Sequence, residues 1–194
     1  MMSCSEITGV ILAGGRSTRM GQDKGLVPIA GKPLFEHIAQ RLSPMVGEII
    51  INTNQNHAQY GREFAIVTDI IQDHSGPLAG MLAGLKSIKT EWALFVPCDV
   101  PEFPENLAEN LWRHKDGSQS VYARDEVRDH PTFCLLSRSI IPALENFLMN
   151  GDRKVMFFFK QINAVPVTFT DKHAFMNLNT PADLTHWETM SGEH

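Results

Sequence analysis

The residues best equipped for chemistry lie in one run, Leu12-Ala13-Gly14-Gly15-Arg16-Ser17-Thr18-Arg19-Met20-Gly21-Gln22-Asp23-Lys24, directly after a short apolar stretch. Adjacent Gly14 and Gly15 let the main chain come close to a ligand and offer successive amides to phosphate oxygens. Arg16, Arg19 and Lys24 add cations to this loop, against the carboxylate of Asp23 alone. Such a loop suits a polyanion, because hydrogen bonds to charged acceptors are the strong ones. Two familiar phosphate loops are excluded. The dinucleotide fingerprint separates its first two glycines by one residue, whereas here they adjoin and Gly21 lies six positions on. The P-loop needs Gly-Lys-Ser/Thr, and Gly31-Lys32 is followed by Pro33.

A second candidate is Asp99, at the end of the apolar run Phe95-Val96-Pro97-Cys98 and ahead of Val100-Pro101-Glu102-Phe103-Pro104. A carboxylate at a strand end needs a partner, and a hard cation shared with phosphate oxygens is one. A turn cap before the prolines is the other reading, and spacing alone leaves both open. Asn52 and Asp69 also follow apolar runs, where their types read first as turn residues. Cys98 reads as a small buried side chain. The eight histidines form no pair at metal-ligand spacing, and no Ser–His–Asp or Cys–His constellation stands out.

These residues must be held by a scaffold. Short apolar runs alternate with helical patterns, which predicts an α/β fold with a largely parallel sheet. Strands are expected at Ile7 to Leu12, Glu48 to Thr53, Phe64 to Thr68, Trp92 to Cys98, Val121 to Ala123, Thr132 to Leu136 and Val165 to Phe169. Helices are expected from Leu34 to Leu42, from Pro77 through Leu85, from Ile140 to Met149, from Val155 to Ile162 and from Pro181. The polar stretch Arg124–His130 joins two of the strands, either as a solvated charged loop or as the rim of a second pocket. In open α/β sheets ligands bind outside the carboxyl ends of strands, and Leu12, Asn52, Thr68 and Cys98 are each followed by polar or glycine-rich residues.

Composition sets the outer bounds. The chain has 194 residues, 43% hydrophobic and 20% charged, the balance of a globular protein, and neither a repeat nor a linker divides it; one domain over 1–194 is expected. A net charge of -5 argues against a general nucleic-acid binder. Cys4, Cys98 and Cys134 form neither a disulfide framework nor a zinc pattern, and they suit a reducing compartment. The first residues lack the pattern of a secretory signal, and no apolar run approaches the roughly 20 residues of a membrane span. The expectation is a cytoplasmic protein with no membrane partner.

The sequence resembles the molybdenum cofactor guanylyltransferases of the MobA type, within the nucleotidyltransferase superfamily. The resemblance runs through Leu12-Ala13-Gly14-Gly15, Arg19-Met20-Gly21, Asp23-Lys24-Gly25, Gly76-Pro77-Leu78-Ala79-Gly80-Met81, Pro97-Cys98-Asp99, Asp129-His130-Pro131-Thr132 and Asn177-Leu178-Asn179-Thr180-Pro181. It implies a Rossmann-like nucleotidyltransferase fold, with a mostly parallel central sheet and helices on both faces. It also implies GTP at Leu12, Ala13, Gly14, Gly15, Lys24, Asn52, Asp69 and Asp99, and Mg²⁺, with Mn²⁺ as the alternative, on Asp99. Lys24, Asp99 and Arg19 take the catalytic roles, and Gly80, Arg153, Asn177 and Asn179 fall on the pterin side. The stretch Ile70 to His74 has no assigned role.

By this resemblance GMP passes from GTP to the terminal phosphate of Mo-molybdopterin, releasing pyrophosphate and giving the guanine dinucleotide cofactor. The acceptor phosphate is already largely dianionic near neutral pH, its second pKa being about 6, so no side chain need deprotonate it. Catalysis then reduces to positioning and charge neutralisation. A monomer is expected, in transient contact with molybdenum-insertion proteins and molybdoenzyme chaperones. The rival readings are a cytidylyltransferase for the same pterin, a sugar-phosphate nucleotidyltransferase and, in another class, a non-catalytic nucleotide or cofactor carrier.

Overall fold

The structure is a computed structural model, and it describes residues 2–14, 23–71, 76–171, 174–178 and 181–191. Its centre is β1 (Ile7–Leu12), almost wholly buried and apolar apart from Thr8, whose hydroxyl is bonded to that of Thr90. Ile7 and Ile11 point into one hydrophobic layer and Val10 into the other, as the twofold repeat of a strand requires. Around β1 the chain places β4 (Glu48–Asn52), β5 (Ala65–Val67), β6 (Trp92–Pro97), β7 (Ser120–Arg124), β8 (Asp129–Ser137) and β9 (Val165–Thr168). They form a seven-stranded sheet in the order β5-β4-β1-β6-β8-β7-β9. A separate two-stranded ribbon, β2 (Pro28–Ile29) with β3 (Lys32–Pro33), turns through Ala30 and Gly31, both at positive φ.

Helices cover both faces. α1 (Leu34–Leu42) buries Leu34, Phe35, Ile38, Ala39 and Leu42, an apolar stripe at helical spacing, and a tight turn at Ser43–Met45 containing Pro44 follows it. It shares its layer with α4 (Leu107–Arg113), Phe103, Phe133 and Phe175. α3 (Pro77–Ser87) has proline at its first turn and is buried from Leu78 to Leu85. It occupies the opposite layer with α5 (Ile141–Met149) and residues of α6 (Val155–Gln161). A four-residue helix, α2 (His57–Tyr60), follows β4, and α7 (Pro181–Ser191) ends the described chain.

The expected α/β architecture is therefore present. The parallel pairings are β1 with β4, β1 with β6, β4 with β5, and β7 with β9. β8 is the exception, antiparallel to both β6 and β7. Its reversal brings its first residues to the edge where β1, β4, β6 and β7 end.

Three details differ from the sequence expectations. β8 begins at Asp129, so only residues 125–128 of the stretch read as a connection lie outside strands. There the side chain of Asp125 accepts from the amides of Val127 and Arg128 and closes a tight hairpin turn. α4 was not expected, although Leu107, Ala108 and Leu111 are its buried face. The ribbon β2–β3 is too short to register as alternating hydrophobicity.

Candidate functional site

The ends of β1, β4, β5 and β6 are joined by hydrogen bonds that continue the ladder into the loops. Ala13 N–H donates to Asn52 O (2.8 Å), Thr53 N–H to Val67 O (3.0 Å), and Cys98 N–H to Leu12 O (3.1 Å). Leu12, Ala13, Asn52 and the loops bearing Asp69 and Asp99 are thus brought together at one edge of the sheet. Gly14, Lys24 and Gly80 join them; Gly15, Arg19 and Asn179 lie outside the described residues, as do positions 72–74 of the stretch with no assigned role.

One half of this edge is organised by Asn52, only 2% exposed. Its amide donates to Asp69 Oδ1 (2.8 Å) and Val67 O (3.3 Å). The other oxygen of Asp69 accepts from Asn54 Nδ2 (2.9 Å), whose Oδ1 in turn accepts from the Asp69 amide (2.9 Å). Two glycines press against Asn52, Gly80 with no space for a side chain and Gly14 with little. A β-carbon on Gly80, in the first turns of α3, would lie 2.2 Å from Asn52 Oδ1 and 3.0 Å from Leu12 Cδ2. A β-carbon on Gly14 would lie 3.2 Å from the same oxygen and 4.0 Å from Asp69 Oδ2. Gly80, assigned by resemblance to the pterin side, is accordingly found against Asn52 and Leu12.

The other half is organised by Asp23 and Asp99. Lys24 opens a tight turn, Lys24–Leu26, which Asp23 caps by accepting from Gly25 N–H (3.1 Å). Asp23 is itself gripped from α2: Tyr60 donates its hydroxyl to Oδ1 (2.6 Å), and Asn56 donates to Oδ2 (3.0 Å). Tyr60 is fully buried, and burial together with Asp23 pushes its phenol far above the ordinary range, so it stays protonated as a donor. Gly25 is needed here too, since a β-carbon would sit 2.4 Å from the Tyr60 oxygen. The turn sets Lys24 Nζ 3.4 Å from Asp99 Oδ2, with the two side chains 19% and 22% exposed. Beside Asp99, burial and then the neighbouring carboxylate push the Cys98 thiol up, so it offers no thiolate.

The chain's last segment is fastened onto the Asp99 loop. Phe175 N–H donates to Glu102 O (2.7 Å) and Leu178 N–H to Asp99 O (3.1 Å), and Glu102 pairs with Met176 across a single bridge. Asn177, exposed, lies between these attachments. Phe175 has φ 66, a conformation costing a bulky residue on the order of 1–3 kcal/mol and persisting only where packing dictates it. Arg153 lies between α5 and α6, with Nη1 donating to Leu148 O (2.7 Å) and Asp152 O (2.8 Å).

At the same edge His130 Nε2 lies 2.7 Å from Asp125 Oδ2. That hydrogen bond first, then the amides of Arg128 and Val127, hold the Asp125 carboxyl well below the usual carboxylate range. Sequence reasoning missed Asn54, Asn56 and Tyr60 altogether, and treated Asp23 only as a counter-charge. Gly25, inside the quoted Asp23-Lys24-Gly25, was the one available signal for the Tyr60 contact.

An oxyanion-binding edge with a lysine set against a carboxylate can hold a nucleotide and a cation together. Comparison with known proteins agrees in kind. Residues 9–165 match the MobA-like NTP transferase domain. The chain is 50% identical over 190 residues to the molybdenum cofactor guanylyltransferase of Serratia proteamaculans (strain 568), covering 96% of each chain. It is also 50% identical over 185 residues to that of Yersinia pestis (strain Pestoides F), covering 94% of this chain and 95% of the other. The fold resembles the crystal structure of molybdopterin-guanine dinucleotide biosynthesis protein A from Archaeoglobus fulgidus, with TM-score 0.80, 20% identity, and 96% and 100% of the two chains covered. It also resembles 4-diphosphocytidyl-2C-methyl-D-erythritol synthase from Anaerococcus prevotii, with TM-score 0.76, 13% identity and 97% of each chain covered.

Proposed function

We infer that guanylyl transfer to a molybdenum-bearing pterin is the chemistry of this edge, because the chain belongs to the MobA-like NTP transferase family and, within it, to the molybdenum cofactor guanylyltransferases. The substrates are GTP and Mo-molybdopterin. A terminal phosphate oxygen of the pterin attacks the α-phosphorus of GTP. The new bond is oxygen to α-phosphorus, the bond from α-phosphorus to the bridging oxygen breaks, and pyrophosphate leaves with that oxygen.

The observation that carries this reading is the Lys24–Asp99 pair, held at 3.4 Å at the carboxyl edge. Asp99 suits a hard cation: its carboxylate is partly exposed and supplies oxygen donors. Among the described residues no cluster of three or more metal-binding side chains occurs. That matches Mg²⁺, or Mn²⁺ in its place, which takes one or two carboxylates and completes its shell with phosphates and water. Bound there, the ion neutralises charge on the phosphates. Lys24 stabilises the departing pyrophosphate, and the main chain at Leu12, Ala13 and Gly14 takes the nucleotide, with Gly15 and Arg19 assigned to the same loop.

Asp69 supports guanine as the base. Each of its oxygens accepts one carboxamide hydrogen, which leaves lone pairs on both for the paired N1–H and N2–H₂ donors of guanine. Cytosine presents no such pair of donors. Asn177 and Asn179, with Arg153, are assigned to the acceptor, and Gly80 supports Asn52. The enzyme works in the cytoplasm as one nucleotidyltransferase domain over 1–194, a monomer meeting insertion proteins and molybdoenzyme chaperones only transiently. No described helix is long and apolar enough to cross a membrane.

Mixing the protein with Mg²⁺, GTP and Mo-molybdopterin should release pyrophosphate and form the guanine dinucleotide. Release with CTP in preference to GTP would overturn the guanylyl reading. GTP binding without release under any acceptor would favour the carrier reading.

A further inference from the structure

We propose that His130, tethered by Asp125, is a positioning residue for the acceptor half of the site, acting through Phe175 to fix Asn177 against the Asp99 loop. The proposal rests on the reading of Asn177 as an acceptor contact. It gives a role to Asp129-His130-Pro131-Thr132, which the nucleotide chemistry leaves unused.

The topology brings His130 to this place. β8 pairs with β6 in antiparallel register, Phe95 opposite Cys134, so the residues ahead of Cys134 run towards the loop that carries Asp99. His130, 8% exposed, lies flat on Phe175, with ring centroids 4.5 Å apart and planes 24° from parallel. Its Nε2 is 2.7 Å from Asp125 Oδ2, and Asp125 is itself fixed by the amides of Val127 and Arg128. The plane of the imidazole is therefore set by a hydrogen bond, whereas the other rings on Phe175 are apolar and set by packing alone.

Phe175 is the residue that most needs such support. It is 1% exposed and left-handed, with φ 66, where a phenylalanine stays only if its neighbours leave it no alternative. Those neighbours are Phe133 at 4.8 Å, Phe169 at 5.6 Å and His130. From Phe175 the backbone reaches the Asp99 loop twice, through its own amide to Glu102 O and through Leu178 N–H to Asp99 O. Asn177 lies between those two bonds, so a shift of Phe175 is passed to Asn177 and to the main chain of Asp99.

The test combines kinetics and amide hydrogen exchange on His130→Ala, His130→Phe and Asp125→Asn in the full chain. Pyrophosphate release is followed with GTP and Mo-molybdopterin varied separately, and GTP affinity is measured by calorimetry. Loss of the stacked ring should raise the acceptor KM about tenfold or more in His130→Ala, while GTP affinity stays within about twofold of wild type. Exchange at the Phe175 and Leu178 amides should speed up in the same variant. His130→Phe keeps the stack and should recover most of both losses; Asp125→Asn should fall between. An unchanged acceptor KM, a parallel loss of GTP affinity, or unaltered exchange at Leu178 in His130→Ala would each overturn the proposal. If His130→Ala does not fold, Asp125→Asn decides by the same criteria. If wild type itself releases no pyrophosphate with this acceptor, the functional reading fails, and the exchange data still decide whether His130 holds the Asn177 segment.

Discussion

The hydroxyl of Tyr60 fills the space that a side chain on residue 25 would need: the oxygen lies 2.4 Å from where a β-carbon on Gly25 would be. The same hydroxyl bonds Asp23, which caps the turn that carries Lys24. A double-mutant cycle on this contact has a definite expected sign. Gly25→Ala alone should destabilise by about 1–3 kcal/mol through overpacking. In the Tyr60→Phe background the oxygen is gone, and the same substitution should cost at least about 1 kcal/mol less. Urea midpoints with unchanged slopes would measure this; strict additivity would show that the two residues do not constrain each other.

Asp99 and Lys24 should separate activity from stability. Their ion pair is partly solvated, a class worth roughly 0–1 kcal/mol, so Asp99→Ala and Lys24→Ala should unfold close to wild type. Each removes charge stabilisation from the reacting phosphates, and turnover should fall by about 10²–10³-fold or more. Lys24→Ala should also weaken GTP binding. A wild-type rate in either variant would remove that residue from the mechanism.

Chelation should mimic Asp99→Ala and, unlike it, be reversible. EDTA should stop pyrophosphate release, and excess Mg²⁺ or Mn²⁺ should restore it in wild type but not in Asp99→Ala. Full activity in EDTA would exclude a cation at Asp99.

Gly80→Ala isolates the Asn52 half. Glycine to alanine inside a helix ordinarily stabilises by about 1 kcal/mol. Here the new methyl would meet Asn52 Oδ1 at 2.2 Å, and a buried Asn52 has little space to retreat without giving up Asp69. GTP affinity should fall about tenfold or more, near the cost of one unmade buried hydrogen bond of about 1–3 kcal/mol. Wild-type affinity by calorimetry would show that Asn52 is free to move.

Asp69→Asn should erode base selection. Replacing one acceptor oxygen by an amide removes one of the two sites offered to guanine and sets NH₂ against the carboxamide of Asn52 or Asn54. The thermal shift caused by GTP should drop towards that caused by CTP, since stabilisation follows affinity by mass action. A GTP shift that stays as large as in wild type would place guanine recognition elsewhere.

Much of this was legible in the sequence, and the limits have physical causes. β1 and β6 announce themselves because a strand covered on both faces is predominantly apolar, and α1 because its stripe repeats at helical spacing. Gly14 and Lys24 stood out as parts of one glycine-rich basic loop, whereas Asp99 at its strand end read equally as a turn cap. Asn54, Asn56 and Tyr60 were not, because their roles depend on which loops meet in space, and asparagine in a loop ordinarily means a turn. Gly80 was visible only as part of a motif; its neighbour Asn52, 28 positions earlier, is what explains it. α4 escaped because only Leu107, Ala108 and Leu111 face the core, with polar Glu109 and Asn110 between them and the prolines at 101 and 104 just ahead.

The reversal of β8 divides labour between the two sides of the sheet. Every strand bordering the Asn52–Asp69 and Lys24–Asp99 groups runs the same way, and each is hydrogen-bonded to the next. Beyond β6 the edge is built from a hairpin turn, the start of a reversed strand and the segment around Asn177, none of which shares a hydrogen-bond ladder with β1. Changes in the hairpin turn or in the segment around Asn177 therefore need not disturb the ladders on either side of β1.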